Sequence, residues 1–311
     1  MESTTRLLLE LSDEIPCQRP LLTAEGRFFA TERFPIGAAD SLTVKGCAVR
    51  LFTFLPGRTL DRRPLSDRVC LSWGALLGRL HRALRAKGSG KYPALLSRYT
   101  PWSLWSVSEL PALVDGVVES PEDRKLVHSV LARFAELEPT LRSLPVGVLH
   151  GDLNEKNVLT RPEENCGDGG DEVYAVLDWG DVHGGPRVLD LAVMLTYVLI
   201  APAGRRSPEE SVGLAIAGYL HHLPEERVCS VSLLKTLIGA RLCQSLVKGL
   251  QAYQQNPGNE YVLSTQANGW CRLRRLWSVS DEELQATWNR VLSEQGAVID
   301  CVSADVHPPA F

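Results

Sequence analysis

The spacing of apolar and polar residues divides the chain into a short region of mixed structure and a long helical region. Residues 2–11 have the period of an amphipathic helix, which the chain leaves before Pro16. Two short runs, 20–23 and 27–31, flank Ala-Glu-Gly and predict a hairpin. The apolar run 47–55 predicts a buried strand that is ended by Pro-Gly turn chemistry. We therefore expect a small layer of sheet and helix at this end of the chain.

From Asp67 onwards the pattern becomes that of helices. A helix over 72–84 carries four leucines on one face. Ser120 and Ser280 have the residue type of helix N-caps, and acidic residues follow each of them in the first turn. Further helical patterns cover 127–137, 189–199, 209–220, 233–253 and the segment from 270 onwards. The tail at 297–311 has no clear period, and we expect it to be loosely ordered.

Two short apolar runs near the middle of the chain predict neighbouring strands. They cover 157–159 and 174–177, and the polar segment 161–172 between them predicts a surface loop. Asp152 precedes the first strand, and Asp178 ends the second. Each strand therefore has an aspartate near one of its ends.

The polar residues at these strands are of the types needed to transfer a phosphoryl group. His-x-Asp-x-x-x-x-Asn, which ends at Asn157, is followed ~20 residues later by apolar-Asp-x-Gly. Asp152 is predicted to orient and deprotonate an acceptor hydroxyl, while Asn157 and Asp178 hold Mg²⁺ through hard oxygen donors. The alternative for either aspartate is a turn-forming role. Both halves of the pattern, in this order and on these elements, favour the catalytic interpretation.

Three residues near this pattern have more open interpretations. His150 is predicted to be structural, with its ring tying the loop down, rather than catalytic. Asp181 is interpreted either as a second metal ligand or as a substrate contact. Asp190, at the start of an apolar helix, is interpreted either as a helix cap or as a brace for the catalytic-loop backbone.

Composition and charge exclude several other classes of protein. The 311 residues carry a net charge of −4 with scattered lysines and arginines, so the chain has no electrostatic footprint for nucleic acid. The longest apolar stretch, 188–202, is interrupted by Asp190 and is too short to cross a bilayer. The 8 cysteines are dispersed without C-x-x-C spacing, which predicts reduced thiols in the cytoplasm and no zinc site. Oligomeric state has no signal in the sequence.

Four segments carry a resemblance to a known family. They read C-A-V-R-L-F-T-F-L-P-G-R from Cys47, H-G-D-L-N-E-K-N-V-L from His150, L-D-W-G-D from Leu177 and A-R-L-C-Q-S-L-V-K-G from Ala240. Over most of its length the chain resembles the aminoglycoside phosphotransferase superfamily, small-molecule kinases with a protein-kinase-like fold.

This resemblance implies an α+β, two-lobed fold with a mostly helical carboxy-terminal lobe. The implied reaction is transfer of the terminal phosphate of GTP to the hydroxyl of 5-hydroxylysine in the presence of Mg²⁺, with another amino alcohol or an aminoglycoside as the alternative acceptor. Asp152 would be the base, and Asn157 and Asp178 the metal ligands. The purine edge would be received by the hinge residues Thr53, Phe54 and Leu55.

One departure from the family pattern concerns the amino-terminal lobe. Family members carry a phosphate-covering hairpin and a strand lysine before the helix that here spans 2–11, and Glu2 stands where the acidic partner of that lysine is expected. The first lysine, Lys45, is predicted in a loop beyond the hairpin. A catalytically inactive, truncated isoform that only binds substrate or a partner is therefore the alternative to an active kinase. The expected domains are a partial nucleotide-binding lobe at 1–56, a helical catalytic lobe at 57–296 and the tail at 297–311.

Overall fold

The computed structural model of the chain describes residues 2–36, 43–60, 63–162, 171–202, 204–223 and 230–296. The predicted tail at 297–311 and most of the predicted loop at 161–172 lie outside these ranges. The described part of the chain has the expected α+β, two-lobed architecture, with small antiparallel sheets and many more residues in helices than in strands. The domain boundary expected at residue 56 stays a prediction.

The amino-terminal end contains one helix and one strand pair. Helix α1 spans Glu2–Leu11, as predicted, and buries three of its leucines. Strands β1 (Ala30–Ile36) and β2 (Thr43–Val49) pair in antiparallel register. Lys45 lies in β2, so its prediction in a loop is wrong.

The hairpin predicted at 20–31 is also wrong, although the chain does turn there. The backbone N–H of Thr23 donates to Arg27 O at 2.7 Å, which closes a turn over Ala-Glu-Gly. In the described residues, no strand ladder extends from this contact along the runs on either side. Pro20 instead bridges to Phe52, and the strand that begins at Ala30 pairs with β2 further along the chain.

The buried strand predicted at 47–55 is wrong in its extent and in its burial. β2 ends at Val49, and the side chains of Leu51 and Phe54 are 66% and 87% exposed. Beyond Val49 the segment is held by one antiparallel bridge between Pro20 and Phe52 rather than by a ladder. A run of apolar residues predicts burial only where other layers cover both faces, and the pattern of this segment carries no information about its neighbours.

The helices follow the predicted pattern closely, because their apolar faces were legible in the sequence. Ser120 and Ser280 cap the helices that begin at Pro121 and Asp281, as predicted, with side-chain oxygens accepting from Asp123 N and Glu283 N, both at 3.1 Å. The helices are α2 (Asp67–Lys87), α3 (Pro93–Leu96), α4 (Pro111–Val117), α5 (Pro121–Ser143), α6 (Arg187–Ile200), α7 (Pro208–His222), α8 (Val231–Gln255), α9 (Gln266–Ser278) and α10 (Asp281–Glu294).

Two of these helices, α2 and α7, pack backbone against backbone. A Cβ atom built on Gly74 of α2 would lie 1.8 Å from Ala215 O of α7. One built on Gly218 of α7 would lie 2.0 Å from Leu71 O of α2. Glycine at these positions lets the two helix axes approach more closely than any side chain would allow.

Four short strands frame the loop that carries the predicted catalytic residues. β3 (Gly147–Leu149) pairs with β6 (His183–Gly185), and β4 (Val158–Pro162) pairs with β5 (Asp171–Val176), both antiparallel. The β4–β5 pair confirms the two neighbouring strands predicted from the sequence. In the described residues, no helix is long and apolar enough to span a membrane.

Candidate active site

The loop between β3 and β4 turns at Gly151 in a conformation that requires glycine. Gly151 has φ +86°, and a Cβ atom there would lie 2.4 Å from Asp181 O and 2.7 Å from the Nδ1 atom of His183. Positive φ and a close backbone approach therefore both exclude a side chain. Gly151 therefore lies directly against the turn that leads into β6, and Asp152 is the next residue of the loop.

Asp190 braces this loop from α6. Its Oδ2 atom accepts from His150 N and its Oδ1 atom from Gly151 N, both at 2.7 Å, and His81 Nε2 lies 3.2 Å from Oδ2. Burial by itself would raise the pKa of Asp190, but the hydrogen bond with His81 and the backbone donors outweigh it and leave that pKa below its usual value. Of the two interpretations of Asp190, its contacts match a brace for the loop backbone.

The ring of His150 holds the loop against the end of β5. His150 is 0% exposed, and its Nε2 atom lies 3.0 Å from Leu177 O. Nδ1 accepts from Asp152 N at 3.3 Å. A carbonyl can only accept and an N–H can only donate, so the ring proton belongs on Nε2. These contacts match the structural interpretation of His150.

The carboxylate of Asp152 is held on both of its oxygens yet remains reachable. Oδ1 accepts from Nη2 of Arg241 at 2.6 Å, while Oδ2 accepts from the side-chain amides of Asn154 at 2.9 Å and Asn157 at 3.0 Å. The side chain keeps 21% of its surface exposed. A carboxylate held by three donors and open on one side has the geometry of a group that can accept a proton from a docked hydroxyl.

Asn157 and Asp178 are brought together by the β4–β5 ladder. Asn157 O accepts a hydrogen bond from Leu177 N at 2.8 Å. Asp178 is the next residue after Leu177. The amide nitrogen of Asn157 donates to Asp152, so its oxygen is the end directed elsewhere. Asp178 is exposed and has φ +51°, a left-handed conformation that aspartate tolerates better than most residues.

This donor set suits Mg²⁺ rather than a transition metal. One carboxylate and one amide oxygen are hard ligands, and Mg²⁺ takes few protein ligands alongside waters and substrate phosphates. Among the described residues, no group of three or more His, Cys, Asp or Glu side chains forms a denser metal site. Asn157 and Asp178 therefore fit the ion that the sequence pattern implied.

Asp181 and His183 line the other side of the loop. Asp181 Oδ1 accepts a hydrogen bond from the Thr100 hydroxyl, and Asp181 O lies 2.8 Å from His183 Nδ1. His183 Nε2 lies 2.9 Å from Ser103 Oγ, and burial lowers the pKa of this histidine. The segment around residues 100–103 is thus tied to the turn that leads into β6, and Asp181 retains part of its surface for a ligand.

The three predicted hinge residues differ in their surroundings. Leu55 packs on the cluster formed by Leu159 and Tyr174 of β4 and β5. Thr53 is already engaged, since its backbone N–H donates to Arg19 O at 2.9 Å and its hydroxyl accepts from Arg19 N at 2.9 Å. Phe54, 87% exposed, is the residue of the three that faces solvent.

Two cations at the site were not singled out by sequence reasoning. Arg241 and Lys248 both project from α8 towards Trp102, at 5.4 and 5.6 Å from its ring centroid. A signal existed: Arg241, Gln244 and Lys248 follow i, i+3, i+7 spacing, so they form a polar stripe on a helix that otherwise buries apolar residues. Burial lowers the pKa of Lys248, on which the charges of Glu109, Arg241 and Asp181 also act.

The fold and this site define a phosphotransferase. The model of the Phosphotransferase enzyme family matches residues 4–226, so the chain belongs to that family. Among curated proteins, hydroxylysine kinase of Danio rerio is 27% identical over 276 residues, covering 88% of this chain and 74% of that protein. Hydroxylysine kinase of Bos taurus is 29% identical over 248 residues, covering 79% of this chain and 65% of that protein.

Solved structures share the fold at lower identity. Amicoumacin kinase hAmiN, in complex with AMP-PNP, Ca²⁺ and Ami, matches with a TM-score of 0.58 and 18% identity, covering 91% of this chain and 80% of that one. A microcompartment-associated aminopropanol kinase matches with a TM-score of 0.53 and 18% identity, covering 91% and 82%. These likenesses confirm the kinase-like fold expected from the sequence.

Proposed function

We propose that this chain transfers the terminal phosphate of GTP to the hydroxyl of 5-hydroxylysine with the help of Mg²⁺. The observation that carries the proposal is the joint placement of Asp152, Asn157 and Asp178 at the ends of β3, β4 and β5. Similarity to hydroxylysine kinases over most of the chain supports the acceptor. The donor is inferred from the family resemblance alone, and comparison of GTP with ATP decides it.

In this reaction the oxygen of the acceptor hydroxyl bonds to the terminal phosphorus of GTP while the bond from that phosphorus to the bridging oxygen breaks, so that GDP leaves. Asp152 accepts the proton of the hydroxyl. Asn157 and Asp178 would hold Mg²⁺ through their side-chain oxygens, which would bring positive charge to the phosphate oxygens. The segment Thr53 to Leu55, in which Leu55 packs on β4 and β5, receives the purine. His150 and Asp190 do not react; they fix the backbone on which Asp152 stands.

The charges around Trp102 support an acceptor that carries both an ammonium and a carboxylate. Lys248 is half-buried and Asp181 is partly exposed, and the charge of Asp181 partly offsets the lowering of the Lys248 pKa by burial. In the proposed complex Asp181 contacts an amine of hydroxylysine and Lys248 contacts its carboxylate. An amino alcohol without a carboxylate leaves Lys248 without a ligand partner. In this proposal Asp181 therefore acts as a substrate contact rather than as a second metal ligand.

An acceptor screen tests this proposal. GTP and ATP are each combined with 5-hydroxylysine, its decarboxylated analogue, ethanolamine, choline and an aminoglycoside, and nucleoside diphosphate release is measured. We expect the highest kcat/KM with hydroxylysine, and acceptor-dependent release that is lower by ~10²-fold or more in an Asp152→Asn control. Preference for an acceptor lacking the carboxylate would overturn the proposed substrate.

Lys248→Met tests how the acceptor is recognised. We expect the KM for hydroxylysine to rise about tenfold or more, because a charge-assisted hydrogen bond is lost, while the KM for the decarboxylated analogue changes little. Lys235→Met is the matched control: Lys235 is on the same helix, donates to Val279 O at 2.5 Å and lies 5.8 Å from a tryptophan ring. Equal effects on both acceptors would exclude Lys248 as the carboxylate contact.

The cysteines support a reducing compartment, in which we place the protein as a cytoplasmic enzyme. Among the described residues, Cys17, Cys70 and Cys243 are free and buried. Burial raises the pKa of Cys17 and Cys70 to about 12, so neither thiol is poised to react.

A further inference from the structure

Arg241 is a buried cation held by four hydrogen bonds at the edge of the active site. Its side chain is 1% exposed. Nη2 donates to Asp152 Oδ1 at 2.6 Å and to the hydroxyl of Tyr197 at 3.1 Å. Nη1 donates to Trp102 O at 2.7 Å and to Gln244 Oε1 at 2.9 Å. A guanidinium is removed from water at high cost, so such a group persists only where its partners are well arranged.

The partners of Arg241 belong to two different segments of the active site. Asp152 is on the catalytic loop, whereas Trp102 belongs to the segment that also bonds Asp181 through Thr100. Gln244 strengthens the second connection, since its amide donates to Ser103 O at 2.8 Å. One guanidinium therefore fixes the distance between the catalytic loop and the 100–103 segment.

The hydroxyl of Tyr197 accepts a hydrogen bond from the guanidinium of Arg241 but carries no negative charge. Burial raises the pKa of Tyr197 to about 12, so its hydroxyl stays neutral and serves as an acceptor for Arg241. The permanent positive charge of Arg241 is then balanced by Asp152, its nearest carboxylate. The lysine of the catalytic loop itself does not supply this charge, since Lys156 Nζ bonds Ser264 and lies 3.7 Å from the Tyr261 ring centroid.

We propose that Arg241 is the positioning residue of the base: it holds the carboxylate of Asp152 in one rotamer and aligns it with the acceptor-binding segment at Trp102. This inference rests on the proposed function, because it assigns Asp152 the role of base. The two Nη atoms of the guanidinium fix one carboxylate oxygen and one carbonyl at the same time. Asn154 and Asn157 fix the other oxygen, so the carboxylate keeps one orientation while the acceptor enters.

Lysine cannot replace this geometry, although it keeps the charge. A single ammonium on a flexible stem does not span Asp152 and Trp102 with planar donors. Arg241→Lys is therefore expected to lower kcat for hydroxylysine phosphorylation by about tenfold or more, with the KM for the nucleotide unchanged. Arg241→Ala is expected to lower kcat further, on the order of a hundredfold.

Chemical rescue separates positioning from a structural role. Guanidinium chloride at millimolar concentration is added to Arg241→Ala, with urea and sodium chloride as neutral and ionic controls. We expect guanidinium to restore kcat at least severalfold and urea to restore none, because only the cation reproduces the contact with Asp152. Melting temperatures are recorded for every variant. If Arg241→Ala does not fold, Arg241→Lys, which retains the charge and most of the volume, is used instead. The test is then whether kcat falls while the KM for the nucleotide stays unchanged.

Two matched variants serve as controls. Arg274→Ala removes an arginine of α9 that donates to both oxygens of Asp123, at 2.9 and 2.7 Å. Its kcat is expected to stay unchanged. Tyr197→Phe removes one acceptor of Arg241 but leaves its bond to Asp152, so a smaller loss than in Arg241→Lys is expected. A folded Arg241→Lys enzyme with wild-type kcat would overturn the inference. Wild-type protein that phosphorylates none of the acceptors would instead refute the proposed function.

Discussion

The carboxylate of Asp152 already carries hydrogen bonds on both oxygens before any acceptor is bound. Arg241, Asn154 and Asn157 supply them, and the exposed side of the group remains for the incoming hydroxyl. At the scale of single residues, the site is therefore an arrangement in which most polar atoms hold other polar atoms in place. Such preorganisation lets a weak base act at a defined distance.

Asp152→Asn tests the base directly. The amide keeps the shape of the carboxylate and one acceptor for Arg241 but cannot take a proton, so we expect kcat to fall by ~10²-fold or more with nucleotide binding retained. Melting temperature should also fall modestly, because buried Arg241 loses its balancing charge. Stopped assays and nucleotide titration measure the two effects. A kcat close to that of the wild type would remove Asp152 from the proton transfer.

The metal ligands are distinguished by their charge. Asp178→Ala is expected to raise the Mg²⁺ concentration needed for half-maximal activity more than Asn157→Ala does, because a carboxylate holds a dication more strongly than an amide. Mg²⁺ titrations at saturating nucleotide measure both. Asn256→Ala, at the end of α8, is a suitable neutral control. Unchanged Mg²⁺ dependence in both variants would mean that the ion is held elsewhere.

At the scale of elements, the helices and the β4–β5 pair could be predicted, and much of the amino-terminal sheet could not. Four leucines at helical spacing identified α2, because the spacing of apolar residues that predicts a helix lies within the helix itself. The segment at 47–55 failed for the opposite reason: its burial depends on what lies over it. The roles of His150 and Asp190 were open in the sequence, since their partners are 27 and 40 residues away along the chain.

Arg241 shows why one part of the site escaped prediction. Its partners Asp152 and Trp102 are 89 and 139 residues away in sequence. No local pattern predicts such a pairing, although the polar stripe on α8 indicated that polar side chains of this helix need partners. Motifs predict residues that act within one loop, and tertiary packing decides which distant residue supports them.

The close contact between α2 and α7 yields a prediction about stability. Gly74→Ala would force the two helices apart, since its Cβ would lie 1.8 Å from Ala215 O, and we expect a loss of about 3 kcal/mol or more in the free energy of unfolding. Gly116→Ala, in α4, has nothing within 4 Å of the added atom and should be neutral or slightly stabilising. Thermal or urea unfolding measures both. Equal effects would contradict the close packing.

At the scale of the whole molecule, exposed apolar side chains are concentrated at the amino-terminal end. Most of the large apolar residues that are exposed in the described part of the chain fall within residues 21–54, whereas the helical lobe buries nearly all of its own. Single exposed apolar residues are ordinary, whereas a contiguous group of them favours association, and we expect the exposed apolar side chains of this segment to form such a surface. These residues are Leu21, Leu22, Phe29, Phe34, Leu51 and Phe54.

We therefore expect the isolated chain to self-associate at micromolar concentration through this surface. The double variant Leu22→Ser with Leu51→Ser removes two side chains that are 57% and 66% exposed, so it should reduce association while leaving the melting temperature nearly unchanged. Val146→Ser, at a residue 54% exposed outside this segment, is the matched control and should not change association. Size-exclusion chromatography with light scattering measures the effect. A wild-type chain that stays monomeric across that range, or a double variant that associates equally, would show that these side chains do not drive contacts between molecules.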